Sequence, residues 1–398
     1  MDITTLAVHA GEREKAGEFV PVSTPIHNST TFLYEQVERT DRIAGGEETG
    51  YMYTRYANPT VAALERAMLA LETAGSRGGE AACFAYGSGM AAIHAAILAA
   101  GLRQGDRVLC SSEVYGSTVS LLMNVLAPLG LELLLARPSA APEWEAALAR
   151  QPRLVIVEAI SNPLLRVVDL RATAAAARAA GAKLMVDTTF ASPILCRPLA
   201  LGADYSVHST TKFIAGHGDA MGGVVTAAAE EGPALYGLRK LAGGVLGPFE
   251  AWLTLRGIKT LPLRVRRQCE SALHMARELE GWPQIERVHY PGLAAHADHA
   301  VAAAQFGGLF GGVLAFEIRG ARRADILAFM NRLRLCLCGT SLGDVQSLLL
   351  YPVMASHRDL SPAQRERIGI RENLVRLSVG LEDPGDLLAD LKQALPRA

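Results

Sequence analysis

Residues 183–212 read KLMVDTTFASPILCRPLALGADYSVHSTTK and contain two short apolar runs, Lys183–Val186 and Tyr205–Val207, which we expect to be strands. Neither run alternates apolar with polar residues, and this is typical of strands covered on both faces in a parallel sheet. The first run is followed by Asp187, and the second runs into His208-Ser209-Thr210-Thr211-Lys212. Ligands of open α/β sheets bind outside the carboxyl ends of the strands, so Asp187 and Lys212 become candidate site residues.

The same alternation of strands and helices extends to both sides of this stretch. The other predicted strands are Ala81–Ala85, Arg107–Cys110, Leu131–Leu135, Leu154–Val157 and Gly223–Val225. The predicted helices are Val61–Thr73, Met90–Ala100, Thr118–Leu129, Pro142–Arg150 and Leu170–Ala180. This order predicts an α/β protein with a mostly parallel sheet covered by helices.

The chain divides into three predicted parts. Residues 1–56 look irregular, because prolines and glycines interrupt any long period, and we expect an extended N-terminal arm that must dock to be ordered. Residues 57–255 form the predicted α/β domain. In residues 256–398 the alternation fades, and a long helical stretch at Leu263–Leu279 with a glycine-rich strand region near 307–317 predicts a smaller α+β domain.

Composition excludes several classes of protein. The chain has 398 residues, of which 39 are basic and 40 acidic, and no Lys/Arg-rich block favours nucleic acid or an anionic membrane. Its longest apolar stretches, such as Ala91–Leu102, are too short to span a bilayer. The six cysteines are scattered, without zinc spacing, and no secretory signal is visible, so we expect reduced thiols, no metal site and a cytoplasmic location.

Three strand ends together fit one ligand. Strand Ala81–Ala85 runs into Tyr86-Gly87-Ser88-Gly89-Met90, and the N–H groups of Gly89 and Met90 at a helix N-terminus suit a phosphate. Hydroxyls of Ser209 and Thr211 can add hydrogen bonds. The Lys212 amine can form an imine with an aldehyde, and Asp187 can keep a pyridine nitrogen protonated. Each signal alone is weak, because a Gly-Ser-Gly turn, a helix-capping carboxylate and a solvated lysine are common.

Further segments extend this pattern along the chain. They are Tyr53–Thr60, Tyr115–Thr118, Glu158–Pro163, Val186–Phe190, Gly216-His217, Ser341–Asp344 and Val375–Gly380. With them, the sequence resembles the pyridoxal 5′-phosphate (PLP) enzymes of cysteine and methionine metabolism, which have fold-type I. That family includes cystathionine γ-synthases, cystathionine γ- and β-lyases, methionine γ-lyases and homoserine-ester sulfhydrylases.

The resemblance implies roles for residues of the site. Lys212 matches the lysine that holds PLP as a Schiff base, and Asp187 matches the partner of the pyridine nitrogen. Tyr115 matches the residue that stacks on the cofactor ring and exchanges a proton with the leaving group. Arg376 matches the clamp on the substrate carboxylate, because a guanidinium grips a carboxylate through two parallel hydrogen bonds.

Four more residues complete the implied site. Asn162 and Ser341 match positions that orient the substrate and the phenolic oxygen of the cofactor. Tyr53 and Arg55 match residues that reach the phosphate from a neighbouring subunit. The resemblance therefore implies a homo-oligomer, with a dimer as the active unit and a tetramer made of two such dimers.

Because the sequence departs from the family pattern at several positions, it does not identify the substrate. Ser117 stands where methionine γ-lyases usually have cysteine, Thr340 where cystathionine enzymes have glutamate, and Thr188 where asparagine is common. The segments Tyr115–Leu121 and Ser356-His357 resemble the sulfhydrylase branch.

We expect γ-elimination on a methionine-, homocysteine- or cystathionine-type amino acid that gives a 2-oxo acid, ammonia and a thiol. γ-Replacement is the alternative, followed by a cystathionine β-lyase and, remotely, a non-catalytic regulator. A transaminase would lack the Tyr-Thr-Arg arm.

Overall fold

The predicted mostly parallel sheet is present in a computed structural model, which describes residues 1–14, 19–75, 80–355, 358 and 361–396. Its seven strands lie in the order β1-β7-β6-β5-β4-β2-β3. The two pairs that include β7 are antiparallel and the other four pairs of this sheet are parallel, so the predicted α/β class is confirmed. The strands are β1 Ala81–Tyr86, β2 Arg107–Ser111, β3 Glu132–Ala136, β4 Leu154–Glu158, β5 Lys183–Asp187, β6 Tyr205–Ser209 and β7 Gly223–Ala228.

The central strands are apolar on both faces because each face packs against a separate core. On β5, Met185 joins the core beside the helix that begins at Gly89, whereas Leu184 and Val186 join the core on the opposite face. The same division runs along β4, whose residues are all buried. This double burial explains why the strands read as continuous apolar runs in the sequence.

Helices cover both faces of this sheet. They are α3 Pro59–Glu72, α4 Gly89–Ala99, α5 Gly116–Leu121, α6 Ala141–Leu148, α7 Leu170–Ala179, α8 Ser192–Leu195, α9 Gly232–Ala242 and α10 Pro248–Ile258. The helix predicted over Thr118–Leu129 is not continuous. After α5 the chain forms a π-helical turn at Leu122–Leu126 and a 3-10 turn at Ala127–Leu129. Pro128 has no N–H to donate, so regular α-helix is lost around it.

A second, smaller sheet follows the first along the chain. Its five strands are β8 Ile285–His289, β9 Val313–Ile318, β10 Leu337–Cys338, β11 Leu348–Leu350 and β12 Leu374–Ser378, in the order β10-β11-β12-β9-β8. The accompanying helices are α11 Leu261–Glu280, α12 His299–Phe306, α13 Arg323–Arg332, α14 Pro362–Arg367 and α15 Pro384–Ala394. This arrangement agrees with the predicted α+β character, and a boundary near residue 256 stays a prediction.

The N-terminal arm is more regular than the sequence predicted. It contains helix α1, Ile3–His9, and helix α2, Val37–Gly45. Asp2 caps α1 by accepting a hydrogen bond from the Thr4 N–H, and Gly46 ends α2 in the left-handed conformation with φ of 80°. Local capping groups therefore form short helices in a segment that looks irregular overall.

Part of the arm docks on its own chain. Lys259 Nζ on the α10–α11 connection lies 2.6 Å from Glu12, and Asn58 Nδ2 donates to the His27 carbonyl at 2.8 Å. Within the described ranges, no helix is both long enough and apolar enough to cross a bilayer.

Candidate active site

A cavity of about 480 Å³ lies where the carboxyl ends of β4, β5 and β6 and the N-terminus of α4 face segments of the second sheet. The structure brings most of the predicted site residues together around it. These are Gly89, Met90, Tyr115, Asn162, Asp187, Ser209, Thr211, Lys212 and Arg376. Ser341 joins them through hydrogen bonds to two of their side chains.

The N-terminus of α4 forms one wall of the cavity. Ser88 caps the helix by accepting a hydrogen bond from the Ala91 N–H at 3.1 Å. The N–H groups of Gly89 and Met90 have no hydrogen-bond acceptor among the described residues. A Cβ atom at Gly89 would lie 2.7 Å from Ser209 Cβ, so only glycine lets the helix start this close to the end of β6. Two free N–H groups thus face the cavity beside the Ser209 hydroxyl.

The two predicted hydroxyl groups differ in their surroundings. Thr211 Oγ1 donates to the Gly222 carbonyl at 3.2 Å and accepts from the Gly222 N–H at 3.1 Å. The Ser209 backbone N–H donates to Thr189 Oγ1 at 2.9 Å. Both side chains line the cavity, and the Thr211 hydroxyl is already held by the turn that leads into β7.

Lys212 reaches across from the first sheet to the second. Its Nζ atom donates to Ser341 Oγ at 3.0 Å. Burial, and next the positive charge of Arg376, lower the pKa of the amine from its ordinary value of 10.5, whereas the carboxylate of Asp344 acts in the opposite direction. A larger fraction of this amine is therefore neutral near neutral pH than of an exposed lysine.

Arg376 on β12 is buried in the wall of the cavity, with 2% of its surface exposed. Its Nη1 atom donates to Asn162 Oδ1 at 2.9 Å, and its Nη2 atom donates to the Ser341 carbonyl at 2.9 Å. Burial lowers the pKa of Arg376 to about 10. Its Nε–H is buried without an acceptor among the described residues, so the guanidinium keeps unused capacity for an anion.

Asp187 ends β5 and is oriented by the next turn. Its Oδ1 atom accepts a hydrogen bond from the Thr189 N–H at 2.9 Å. Burial raises the pKa of Asp187 above its ordinary value, and the hydrogen bonds from Thr189 oppose this effect. A cationic group beside Asp187 would favour its charged form. Thr189, to which the sequence analysis gave no role, thus orients Asp187 and also accepts the Ser209 N–H.

Glu158 is a second acidic residue of the cavity that the sequence analysis left without a role. It ends β4, beside Asp187 in the sheet register. Its Oε1 atom accepts a hydrogen bond from the Tyr115 N–H at 2.7 Å. The rule that singled out Asp187, a polar residue at the carboxyl end of a buried strand, applies equally to Glu158 and could have found it.

The departures from the family pattern lie in different places. Thr340 lines the cavity, and Ser117 is not among the described lining residues. Thr188 is buried away from the cavity, where its hydroxyl lies 3.5 Å from Ser206 Oγ. Ser356-His357 lies outside the described residues. The remaining wall is mainly apolar and consists of Ile93, Phe190, Met221, Leu342, Leu350 and Ala355.

Tyr53 and Arg55 do not reach the cavity of their own chain. Arg55 donates to the Lys240 carbonyl, and its guanidinium carbon lies 5.5 Å from the centre of the Tyr53 ring and 5.1 Å from that of Tyr56. Tyr53 is 41% exposed. Their predicted contact with a phosphate therefore needs a second chain.

Known proteins match this chain in sequence and in fold. The model of the Cys/Met metabolism PLP-dependent enzyme family matches residues 4–396. An L-methionine gamma-lyase of Pseudomonas putida is 40% identical over 395 residues, which cover 98% of this chain and 96% of the relative. An O-succinylhomoserine sulfhydrylase of Pseudomonas aeruginosa is 40% identical over 392 residues, 98% of this chain and 94% of the relative. The crystal structure of the cystathione gamma lyase of Micromonospora echinospora is similar with a TM-score of 0.90 at 39% identity, over the full length of both chains.

Proposed function

Because this chain belongs to the family of Cys/Met metabolism PLP-dependent enzymes, we propose that it is a carbon–sulfur lyase. Its substrate is a methionine-, homocysteine- or cystathionine-type L-amino acid, and γ-elimination gives a 2-oxo acid, ammonia and a thiol. One observation carries the proposal. Lys212 and Arg376 both bond to Ser341 in one cavity, so a basic amine lies within reach of a bound amino acid carboxylate.

The residues present fit pyridoxal phosphate. The free N–H groups of Gly89 and Met90, together with the Ser209 and Thr211 hydroxyls, suit its phosphate. Asp187 suits the ring nitrogen as a close carboxylate. Tyr115 suits the face of the ring, and Lys212 offers the amine to which the aldehyde carbon attaches. The orphaned N–H groups and the glycine-dependent cradle are the structural features that favour such a ligand.

In the bound state, the cofactor supplies an electron sink that stabilises negative charge at the substrate α-carbon. Once the substrate has displaced it from the cofactor, Lys212 Nζ would take the proton from the α-carbon, pass that proton on and, neutral again, take one from the β-carbon. Its lowered pKa suits this task, since a base must be neutral to accept a proton. The hydrogen bond to Ser341 Oγ holds the amine on the side of the cavity where Arg376 holds the substrate.

Arg376 binds the carboxylate of the substrate. Asn162 and the Ser341 carbonyl fix the two Nη groups, so the plane of the guanidinium is set before the substrate arrives. Tyr115 then holds a proton near the leaving group. The apolar wall excludes water from the side chain of the substrate.

The nature of this wall favours a small thioether or thiol side chain. Glu158 and Asp187 are the acidic side chains among the described lining residues, and both lie at the strand ends. The position next to Ser341 carries the uncharged Thr340, so a distal ammonium like that of cystathionine finds no carboxylate there. For this reason we place methionine or homocysteine before cystathionine.

γ-Replacement is the second candidate, because it uses the same residues and the relative from Pseudomonas aeruginosa is a sulfhydrylase. The two reactions differ in whether an incoming thiol takes the place of the leaving group at the γ-carbon. A β-lyase ranks third.

A substrate panel tests the proposed reaction. Purified holoenzyme is incubated with methionine, homocysteine, cystathionine, acylated homoserines or cysteine, and oxo acid and ammonia are measured with and without an added thiol. Elimination predicts that both products form from methionine or homocysteine without a thiol. Products that form only from acylated homoserines, with oxo acid suppressed by the thiol, would establish replacement instead.

Covalent attachment tests the role of Lys212. Borohydride treatment should fix the cofactor to the peptide that contains Lys212, as detected by mass spectrometry. Lys212→Ala should fold with unchanged far-UV circular dichroism and lose turnover. Labelling at any other lysine would contradict the assignment.

We further propose that each site is completed by a neighbouring subunit. A phosphate dianion in a partly dry cavity favours a cation, and the described residues that line the cavity offer none beside α4. Arg55 of a second copy would supply one, with the Tyr53 hydroxyl beside it, which makes a dimer the active unit. The family resemblance extends this to a tetramer made of two such dimers. Separately, we propose a cytoplasmic location.

A further inference from the structure

Glu158 is a buried carboxyl in the cavity to which the proposed reaction assigns no task. It has 7% of its surface exposed. Its Oε1 atom accepts the Tyr115 N–H, and its Oε2 atom is buried without a partner among the described residues. A buried carboxylate oxygen without a hydrogen-bond partner costs free energy of folding, so its presence in the cavity calls for an explanation.

Glu158 and Asp187 form a carboxyl pair. They are register partners on the parallel strands β4 and β5, so their Cα atoms are neighbours across the sheet and their side chains leave the same face. Glu158 is buried and Asp187 is half-buried, so charging both neighbouring carboxyl groups at once is costly, and we expect one of them to hold a proton.

The surroundings decide which residue holds it. Burial raises the pKa of Asp187 as well, but the Thr189 N–H at 2.9 Å and the nearby His208 favour its charged form. Burial and the neighbouring Asp187 raise the pKa of Glu158 well above its ordinary value, although the N–H groups of Tyr115 and Asn162 oppose this effect. The other titratable neighbours from adjacent elements are the buried, neutral thiol of Cys110 on β2, which interacts with Glu158, and His208 on β6, which interacts with Asp187.

We propose that Glu158 is a protonated positioning residue that anchors the Tyr115 turn to the strand end of Asp187. As a neutral acid it leaves Asp187 as the single negative charge of the pair, and that charge is then available to the ring nitrogen of the cofactor. Through Oε1 it fixes the backbone of Tyr115, the N-cap of α5 and the proposed stacking residue. The inference rests on the proposed roles of Asp187 and Tyr115 and is independent of the amino acid substrate.

Two substitutions of Glu158 test whether the residue acts as a neutral acid that accepts the Tyr115 N–H. Glu158→Gln keeps the shape, the neutrality and the acceptor for the Tyr115 N–H. Glu158→Ala removes the acceptor and leaves that N–H unbonded. We expect E158Q holoenzyme to keep its visible circular dichroism, its cofactor affinity and its kcat within about threefold. For E158A we expect cofactor affinity to fall roughly tenfold or more, because the buried N–H loses its acceptor.

The proton itself can be observed on the holoenzyme. Infrared spectra at neutral pH should contain the carbonyl band of a protonated carboxylic acid that is absent from E158Q. This readout needs no substrate, so it is unaffected if the lyase reaction proves wrong, and it still decides the matter if E158A fails to fold. Wild-type cofactor binding and visible circular dichroism in a folded E158A would overturn the proposal. A missing infrared band, or an E158Q as impaired as E158A, would do the same.

Discussion

Replacing Arg376 with alanine tests the arrangement of the substrate end of the cavity. Truncation removes a buried positive charge and leaves two acceptors, Asn162 Oδ1 and the Ser341 carbonyl, without their donor at 2.9 Å. Losing one partner of a buried charge-assisted pair costs roughly 2–5 kcal/mol. At about 1.4 kcal/mol for each factor of ten, kcat/KM should fall about 30-fold to several thousand-fold.

The assay is steady-state kinetics on the best substrate of the panel, with cofactor occupancy followed by visible absorption. We expect Arg376→Ala to act mainly through KM and to keep its cofactor. Arg376→Lys should fall between it and the wild type, because lysine keeps the charge and loses the planar fork. Arg371→Ala is the control, since Arg371 lies on the same segment, pairs with Glu286 and Glu317 and does not line the cavity. An Arg376→Ala protein that sheds cofactor and binds substrate normally would refute this reasoning.

Three further predictions concern the phosphate end, pH and assembly. Gly89→Ala should weaken cofactor binding about tenfold or more, because its Cβ would lie 2.7 Å from Ser209 Cβ, whereas Gly237→Ala, with nothing within 4 Å, should not. Burial lowers the pKa of His296 to about 4, so the folded state binds fewer protons than the unfolded state below about pH 6.5. Stability should therefore fall as pH falls from about 6.5 to about 4, and thermal denaturation of His296→Gln should depend less on pH than that of the wild type. Mixing inactive Arg55→Ala and Lys212→Ala proteins should restore some activity after subunit exchange, and no recovery despite proven exchange would place Arg55 outside a shared site.

The strands of the first sheet and the polar residues at their ends could be predicted, because both are set by local patterns in the sequence. Buried strands leave apolar runs, and polar residues at their carboxyl ends converge at one edge of a parallel sheet, so Asp187 and Lys212 stand out from the sequence alone. Glu158 obeys the same rule, because it follows the buried strand Leu154–Val157, and the rule could have found it although no role was assigned to it from the sequence.

Other features depend on contacts that no local pattern contains. The bond between Lys212 and Ser341 joins residues 129 positions apart, and the bond between Arg376 and Asn162 joins residues 214 positions apart. Which oxygen accepts from which nitrogen is decided by how the second sheet packs on the first. The two arm helices were not predicted for a different reason, namely that short helices leave little periodicity in the sequence. Helix α1, for example, has seven residues and is stabilised by the cap from Asp2.

The division of the cavity between two sheets has an evolutionary consequence. Groups that suit the cofactor, from Gly89 to Lys212, lie in the first sheet, its helices and their connections, whereas Thr340, Leu342, Leu350 and Ala355 of the cavity wall lie in the second sheet or its connections. Mutations in the second half can therefore alter substrate preference while the inherited cofactor chemistry is preserved. Such a lineage can diversify by changing a few loop positions, and relatives of nearly equal identity can then differ in the reaction they catalyse.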